Sequence, residues 1–91
     1  MNHFVWDPRR EWVNIHKHGV DFAIASKVFQ DPQRKIFEDF RHGEKEKRFY
    51  CIGKVSGRIL TVRFVYRENT IRIFGAGYWR KGRTIYGKEE S

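Results

Sequence analysis

Apolar and polar residues follow two different periods along the chain, one before residue 31 and the other after residue 34. In the first part, Phe22, Ala25, Val28 and Phe29 recur at the spacing of a helix with one buried face. In the second part, apolar and polar residues alternate, which is typical of half-buried strands. This order predicts an α+β fold, with an N-terminal strand and two short helices packed on an antiparallel meander sheet.

The first 19 residues carry the signals of a short strand followed by a helix. Residues 4–6 are an apolar run that predicts an edge strand. Asp7 is expected to cap the free helical amides, and Pro8 suits the first helical position because its missing N–H has no partner there. The predicted helix covers residues 8–17 and ends at Gly19, which adopts the left-handed conformation at low cost.

A second amphipathic helix is predicted over residues 22–29. Asp21 is its expected N-cap, and the Asp-Pro pair at 31–32 ends it. Trp6 and Trp12 are expected to anchor helix to sheet, because large aromatic side chains contribute much of the buried area of a small core.

Four further strands are predicted in the rest of the chain, at residues 35–40, 48–55, 58–67 and 70–79. A wholly polar loop, 41–47, separates the first two, and tight turns at 56–57 and 68–69 connect the others. The tail from Arg80 is predicted to be a short helix or turn. The chain shows no internal repeat and no linker, so residues 1–91 are expected to form a single domain.

Alternation within residues 58–67 gives the two faces of this strand different chemistry. One face carries the apolar set Leu60, Val62, Phe64 and Tyr66. The other face carries Thr61, Arg63, Val65 and Arg67. Since successive strand residues point to opposite sides, we expect one face to pack on the helices and the other to display arginines.

Positive charge is concentrated in the second half of the chain. The 91 residues include 19 Lys and Arg against 11 Asp and Glu, a net charge of +8. Residues 1–47 hold nine basic and eight acidic residues, a net +1, whereas residues 48–91 hold ten and three, a net +7. A basic face on a small domain favours a polyanion or an acidic protein as partner, and charge alone does not distinguish RNA from DNA or protein.

Composition excludes several other classes of protein. The single cysteine, Cys51, rules out an internal disulfide and a multi-cysteine zinc site; it is expected to be a small buried residue, and no metal site is predicted. No run of about 18 apolar residues is present to span a membrane, and the first residues lack the pattern of a secretory signal. We expect a soluble cytoplasmic protein.

Several short motifs together resemble the signature of BrnT-type toxins. The N-terminal part of that signature matches Phe4-x-Trp6-Asp7, Asn14, Lys17-His18-Gly19-Val20-x-Phe22, Ala25 and Val28-Phe29-x-Asp31. The family's next strand is similar to Arg48-Phe49-x-x-Ile52-Gly53, and its last hairpin to Tyr66-Arg67 followed by Ile71-Arg72-Ile73. The resemblance covers most of residues 4–76.

This resemblance implies a RelE-like fold and the role of toxin in a type II toxin–antitoxin system. It implies cleavage of RNA without a metal or other cofactor, and inhibition of translation. The expected partner is a cognate antitoxin of BrnA type, a small dimeric DNA-binding protein. The complex would repress its own operon, so that the toxin meets DNA only through the antitoxin and no membrane is involved.

The chain departs from the family pattern after residues 71–73. Gly77 stands where the family has an arginine, and Arg83 stands where it has a glutamate. Either the basic role has moved to Arg80, Lys81 or Arg83, or this member has weak or altered activity.

Metal-free RNA cleavage needs a base for the 2′-hydroxyl, cations at the phosphorus and an acid for the leaving 5′-oxygen. Arg67 and Arg72 flank one turn, and antiparallel pairing brings them close if the register gives them the same face. We predict that both contact the scissile phosphate, since arginine grips two phosphate oxygens. The alternative is that either one pairs with Asp7, Glu38 or Asp39, or faces water.

The base is harder to assign. His18 is the candidate because histidine titrates near neutral pH, but a histidine at a helix end also caps carbonyls or meets the helix dipole, and both interpretations stay open. His42 lies in the polar loop and is expected to face solvent. Glu38 and Asp39 are further possible bases, which as consecutive strand residues point to opposite faces.

Other RNA contacts are predicted on the strands and in the tail, at Arg63, Tyr78, Trp79, Arg80, Lys81 and Arg83. Aromatic residues beside basic ones suit stacking on an unpaired base with phosphates nearby. The alternative for the aromatics is a lid over the end of the sheet, or a contact with the antitoxin.

Three functions are compatible with these observations. The first is a toxin that is a metal-independent endoribonuclease. The second is a basic module that holds an antitoxin and co-represses its operon, with weak or no RNase activity. The third is a basic domain that binds nucleic acid and is not a toxin; it predicts salt-sensitive binding of intact nucleic acid, because binding releases counterions.

Overall fold

Residues 3–42 and 45–88 are described in the computed structural model, and they contain every element that the sequence predicts. The elements are β1 (His3–Trp6), α1 (Pro8–His18), α2 (Phe22–Ser26), a 3₁₀ helix (Lys27–Gln30), β2 (Lys35–Asp39), β3 (Arg48–Val55), β4 (Arg58–Arg67), β5 (Thr70–Gly77) and α3 (Arg80–Lys88). The α+β class is confirmed. None of the helices in these residues is long and apolar enough to cross a bilayer.

The five strands form one sheet in the order β1-β5-β4-β3-β2. From β2 to β5 each strand pairs antiparallel with the next, which confirms the predicted meander. The first strand lies at the far edge and runs parallel to β5, so the sheet is mixed. An edge position for β1 is therefore confirmed, and its neighbour is the last strand of the chain.

Side-chain and glycine caps define the helix ends as predicted. Asp7 Oδ1 accepts from the backbone N–H of Arg9 at 2.9 Å, and Asp21 Oδ1 accepts from that of Ile24 at 2.7 Å. Gly19 ends α1 at a φ of 70°, a left-handed conformation that favours glycine. The second predicted helix is present, but its last turn is the 3₁₀ helix.

One apolar core lies between the sheet and the two N-terminal helices, and it includes Val20, Phe22, Ala25, Val28, Cys51, Leu60, Val62, Phe64, Ile71, Ile73 and Ala76. Trp6 packs against it, edge to face with Phe22 at 6.1 Å between ring centroids, as predicted. The prediction that Trp12 anchors helix to sheet is wrong. This side chain is 62% exposed, and Val13 and Ile15 beside it are exposed as well.

Asn14 explains why α1 turns its apolar residues outward. It is the buried residue of this helix. Its Nδ2 donates to the carbonyl oxygens of Val20 and Ala76, both at 3.0 Å, and its Oδ1 accepts from the Ala76 N–H at 3.1 Å. Because β1 ends at Trp6, opposite Ile73, the rest of β5 has no strand on that side. The amide of Asn14 supplies the hydrogen bonds that a strand would make there.

The predicted tail helix is present as α3 and packs on the other face of the sheet. Gly82 lies directly against the Thr61 side chain, where a Cβ would have no room. Tyr86 Oη donates to Asp31 Oδ2 at 2.6 Å, and Lys35 Nζ donates to two carbonyl oxygens near the end of α3 at 2.9 Å. These contacts hold α3 over one end of this face and leave the other end uncovered.

Candidate nucleic-acid interface

The open face is the part of the sheet, opposite α1 and α2, that α3 leaves uncovered; it carries Phe37, Asp39, Arg48, Tyr50, Arg63, Val65, Arg67 and Arg72. Arg72 pairs with Val65, and Arg67 pairs with Thr70. Arg67 and Arg72 are therefore diagonal neighbours on adjacent strands and share this face. The register satisfies the condition under which both could contact one phosphate.

A β-bulge in β5 brings two further arginines together. Arg63 pairs with Gly75 and Phe64 pairs with Ile73, which leaves Phe74 as an extra residue in the strand. The Phe74 ring lies 5.1 Å from the guanidinium of Arg48 and 4.9 Å from that of Arg63. One aromatic ring thus contacts a guanidinium group from β3 and another from β4, and cation–π attraction favours both contacts.

Glu46 sits among three arginines at the edge of the open face. Arg67 donates to it from Nη2 at 2.8 Å and from Nε at 3.3 Å. The hydrogen bond from Arg67 lowers the pKa of Glu46, and the charges of Arg48 and Arg72 lower it further. The acid that pairs with Arg67 is none of the three considered from the sequence. A carboxylate lies where a phosphate is predicted to bind.

Arg63 and Trp79 are shared by two clefts. The α3 cleft has a volume of about 380 Å³ and is lined by Phe37, His42, Tyr50, Ile52, Thr61, Arg63, Trp79, Lys81, Gly82 and Ile85. The rings of Phe37 and Tyr50 lie 5.2 Å apart at 32° in its floor. An apolar, partly aromatic cavity of this size with a few cationic groups is of the kind that takes a small planar ligand.

The α1 cleft, of about 410 Å³, lies between α1 and the end of β5 and is lined by Arg9, Arg10, Val13, Asn14, Lys17, His18, Arg63, Phe74, Gly75 and Trp79. Among the described residues, no acidic side chain lines it. The rings of His18 and Trp79 meet edge to face at 5.3 Å. The structure therefore brings His18 together with Arg63 and Trp79, and neither Arg67 nor Arg72 lines the same cleft.

Asp39 and His42 form a hydrogen-bonded pair between β2 and the following loop. Asp39 is only 6% exposed, and its Oδ2 lies 3.0 Å from His42 Nδ1. The same oxygen accepts from Tyr50 Oη at 3.0 Å, and Oδ1 accepts from the Arg41 N–H at 3.0 Å. Burial alone raises the pKa of Asp39, but the hydrogen bonds from His42, Arg41 and Tyr50 outweigh it and hold the pKa below its usual range.

This pair is the functional candidate that the sequence reasoning missed. The predicted exposure of His42 is confirmed, since its side chain is 55% exposed, but the ring is held by Asp39. Tyr50 stays a hydrogen-bond donor because burial, and then its bond to Asp39, raise its pKa. The available signal was an aspartate at the end of a strand, three residues before a histidine. A turn after the strand folds such a histidine back onto the aspartate.

Trp79 accounts for the glycine at position 77. A Cβ on Gly77 would lie 2.6 Å from Cε2 of the Trp79 ring, well inside contact distance. The arginine that the family pattern has here could enter only if this ring moved away. Trp79 thus occupies the space of that side chain and forms a wall of both clefts.

The remaining predicted RNA contacts lie in different places. Lys81 lines the α3 cleft, whereas Arg80 is exposed and lines neither cleft. The Tyr78 ring packs against the core, with the guanidinium of Arg58 3.6 Å above it. Arg83 Nη1 donates to the Tyr78 carbonyl oxygen at 2.6 Å. The structure therefore groups Lys81 with Arg63 and Trp79, and places Tyr78 on the core side.

Two possible kinds of chemistry find little support in the described residues. Cys51 is buried as expected, and burial raises the pKa of its thiol to about 12, so the reactive thiolate is not formed at neutral pH. Within residues 3–42 and 45–88, no three His, Cys, Asp or Glu side chains are grouped so that they could hold a metal ion.

Comparison with models of protein families identifies the family of this chain. A family model described as "Ribonuclease toxin, BrnT, of type II toxin-antitoxin system" matches residues 6–82. No curated protein matches the chain. The matched residues run from the end of β1 into α3, and so include the whole open face and the residues that line both clefts except Ile85.

Proposed function

We propose, because the chain belongs to the BrnT family of ribonuclease toxins of type II toxin–antitoxin systems, that it is a metal-independent endoribonuclease whose RNA substrate crosses the open face. It acts in the cytoplasm and inhibits translation by cutting RNA. A BrnA-type DNA-binding antitoxin neutralises it, and the toxin reaches DNA only as part of that complex.

The grouping of arginines is the observation that carries this proposal. Arg48, Arg63, Arg67 and Arg72 come from three adjacent strands and lie on one uncovered face. Arginine stays charged at all relevant pH values, and its planar fork matches two oxygens of a phosphodiester. Such a group supports both the binding of an RNA strand and the stabilisation of the charge that builds up at phosphorus during cleavage.

The two clefts give the RNA strand a path. The α1 cleft supplies Arg9, Arg10 and Lys17 for phosphates, and Trp79 offers a ring face for stacking where it meets the α3 cleft. Basic grooves with interspersed aromatic rings are typical of proteins that bind single-stranded nucleic acid. Arg63 and Lys81 line the same path, which supports the RNA-binding roles predicted for them, and His18, the base candidate, lies on it as well.

Exposed apolar residues on α1 support the protein partner in the proposal. Trp12, Val13 and Ile15 are all exposed on one helix, although all three side chains are large and apolar. Association with another protein would remove this apolar area from water. These three residues lie on α1, outside the open face, so an antitoxin could contact them and still reach the RNA path.

The decisive experiment is RNA cleavage by the purified protein in the presence of EDTA. The test variant is Arg67→Ala/Arg72→Ala. Its matched control is Arg34→Ala/Lys54→Ala, which removes the same charge from exposed positions at the opposite end of the sheet. We expect fragments from the wild type and the control, and at least about a 100-fold lower rate from the test variant, because transition-state contacts of this kind are worth that much.

Other outcomes would change the assignment. Equal cleavage by both variants would show that the reaction is at another site or belongs to a contaminant. No cleavage by the antitoxin-free wild type would leave a module that binds an antitoxin and co-represses its operon, the second function considered from the sequence.

A further inference from the structure

The Asp39–His42 pair lies at the mouth of the α3 cleft and has no part in the proposal above. We propose that His42 is the general base of RNA cleavage and that Asp39 is the positioning residue that holds its ring. This inference rests on the proposed ribonuclease function and adds the group that starts the reaction.

The hydrogen bond to Asp39 decides which nitrogen of His42 is available. Nδ1 is 3.0 Å from Asp39 Oδ2, so in the neutral ring Nδ1–H donates to the carboxylate. Nε2 then carries the lone pair and accepts a proton from a substrate hydroxyl. An aspartate that fixes the tautomer and orientation of a histidine is the arrangement used by hydrolases that work through a histidine base.

Asp39 is well suited to hold a ring in one orientation. It is buried, and it is itself fixed by the hydroxyl of Tyr50 and the backbone amide of Arg41. Because those bonds keep it ionised, it can stabilise the imidazolium that forms when His42 takes a proton. Two oxygens with three donors leave the carboxylate little freedom to turn away.

His42 faces the groups that a reacting phosphodiester would need. Asp39 from β2 is hydrogen-bonded to the ring, and the charged and titratable residues that line its two adjoining cavities are Arg48 and Tyr50 from β3, Arg63 from β4, Lys81 from α3, and Arg41, Lys45 and Glu46 from the loop. Most of these residues are cations. Glu46 lines the second cavity with His42 and lies beside Arg67 and Arg72, so a phosphate held by those two arginines would lie next to this cavity.

The reaction that follows is a transesterification. His42 Nε2 takes the 2′-hydroxyl proton while the 2′-oxygen attacks the adjacent phosphorus. A P–O2′ bond forms, the P–O5′ bond breaks, and the 5′-oxygen leaves with a proton from water. The products are a 2′,3′-cyclic phosphate and a 5′-hydroxyl, and His42 returns its proton to solvent, so that no metal, oxidant or other reactant is consumed.

His18 is the competing base, and its surroundings differ. Its ring contacts Trp79 edge to face, and among the described residues no carboxylate is hydrogen-bonded to it. Nothing comparable to Asp39 selects one tautomer of His18. The pair at His42 therefore fits the base role better, and leaves His18 to contact RNA in the α1 cleft.

The test compares His42→Ala with His16→Ala, a control that removes an exposed histidine of α1 stacked on Trp12. We expect His42→Ala to lower kcat at pH 7 at least about 100-fold with KM within about twofold, since a general base contributes that much to the rate and little to binding. Added imidazole should restore part of the rate. The control should keep the wild-type rate.

The pH dependence provides the second readout. The wild-type rate should depend on pH, because a general base must be unprotonated to act, and His42→Ala should lose this dependence. Asp39→Asn should cleave more slowly, because the ring of His42 is no longer held in one orientation. Thermal unfolding of each variant checks that it is folded, and the exposed position of His42 favours that outcome.

The inference and the proposed function fail in different ways. If the wild type cleaves and His42→Ala keeps at least a third of its rate, the base is another group and only the inference is overturned. If His42→Ala raises KM without lowering kcat, the residue binds RNA and is not the base. If the antitoxin-free wild type does not cleave RNA, both proposals fall.

Discussion

Glu46 lies beside the arginines of the open face, where a phosphate is predicted to bind. It contacts Arg67 twice and lies in the field of Arg48 and Arg72. The pair is exposed, and exposed ion pairs contribute little to stability, so a phosphodiester, whose single negative charge is shared by two oxygens, can replace the carboxylate. We expect the contact to keep the arginines ordered and to weaken RNA binding by a small factor.

Glu46→Gln should therefore tighten RNA binding. Removing one negative charge beside three arginines should lower the Kd of a 2′-deoxy oligonucleotide, which cannot be cleaved by 2′-hydroxyl attack, by about two- to fivefold, within the range of an exposed ion pair. Fluorescence anisotropy at fixed salt measures the change. The matched control is Glu38→Gln, which makes the same substitution at a position of β2 that points away from the open face. An unchanged or higher Kd for Glu46→Gln would mean that Glu46 does not compete with RNA.

Single residues were predictable where short-range chemistry decides their role. The sequence placed Arg67 and Arg72 on either side of a turn, and the observed register gives them one face. It did not reveal Glu46 as their partner, because that contact joins a loop to a strand 21 residues further along. It also missed the pairing of His42 with Asp39, since a spacing of three residues permits that contact but does not require it.

At the scale of secondary structure, α3 is the element whose position shapes the site. It reaches the sheet closely only because residue 82 has no side chain. The hydroxyl of Thr61 is buried beneath it, and within the described part of the chain this oxygen has no hydrogen-bond partner. The close approach puts Lys81 and Trp79 at the edges of the α3 cleft.

Gly82→Ala tests how tightly α3 is held. Alanine favours the helix by about 1 kcal/mol, but a methyl group against Thr61 overpacks the contact at a cost of roughly 1–3 kcal/mol, so we expect net destabilisation on the order of 1 kcal/mol. Urea unfolding measures it. In a Thr61→Ala background, which removes the opposing hydroxyl, the same substitution should stabilise the protein. A Gly82→Ala single variant more stable than the wild type would mean that α3 shifts freely.

Element boundaries were predictable to within two residues because local signals set them. Caps at Asp7, Gly19 and Asp21 act within one turn, and each lies where the sequence predicts it. The outward rotation of α1 was not predictable from its own apolar pattern. It depends on the hydrogen bonds between Asn14 and Ala76, which are 62 residues apart. The bulge at Phe74 likewise depends on pairing with another strand.

For the whole molecule, two buried or half-buried aspartates link stability to acid. Asp31 accepts from Tyr86 Oη and from the backbone amides of Lys54 and Gln33. Burial by itself raises the pKa of Asp31, but these hydrogen bonds outweigh burial and lower it. The hydrogen bonds to Asp39 have the same effect on its pKa. A carboxylate with a lowered folded-state pKa stabilises the fold above its unfolded pKa, near about 4, and this contribution is lost as the pH falls through the lower folded value.

Thermal stability should accordingly decline when the pH is lowered from about 5 to about 2, the range below the usual aspartate pKa. Asp31→Asn/Asp39→Asn should unfold at a lower temperature at pH 6 and lose part of this pH dependence. The control Glu38→Gln should keep it. Scanning calorimetry over this pH range makes the comparison. An unchanged slope in the double variant would show that other carboxylates cause the acid response.

The parallel pairing of β1 with β5 has a consequence for how the protein is made. His3 pairs with Thr70, so β1 has no neighbour until β5, the last of the five strands of the sheet, has been synthesised. Contacts between distant parts of a chain are slow to form, because the intervening loop must close first. The α1 cleft needs Trp79 as well. A nascent chain that stops before residue 70 therefore lacks the pairing of β1 with β5, and the α1 cleft forms only once synthesis has passed Trp79.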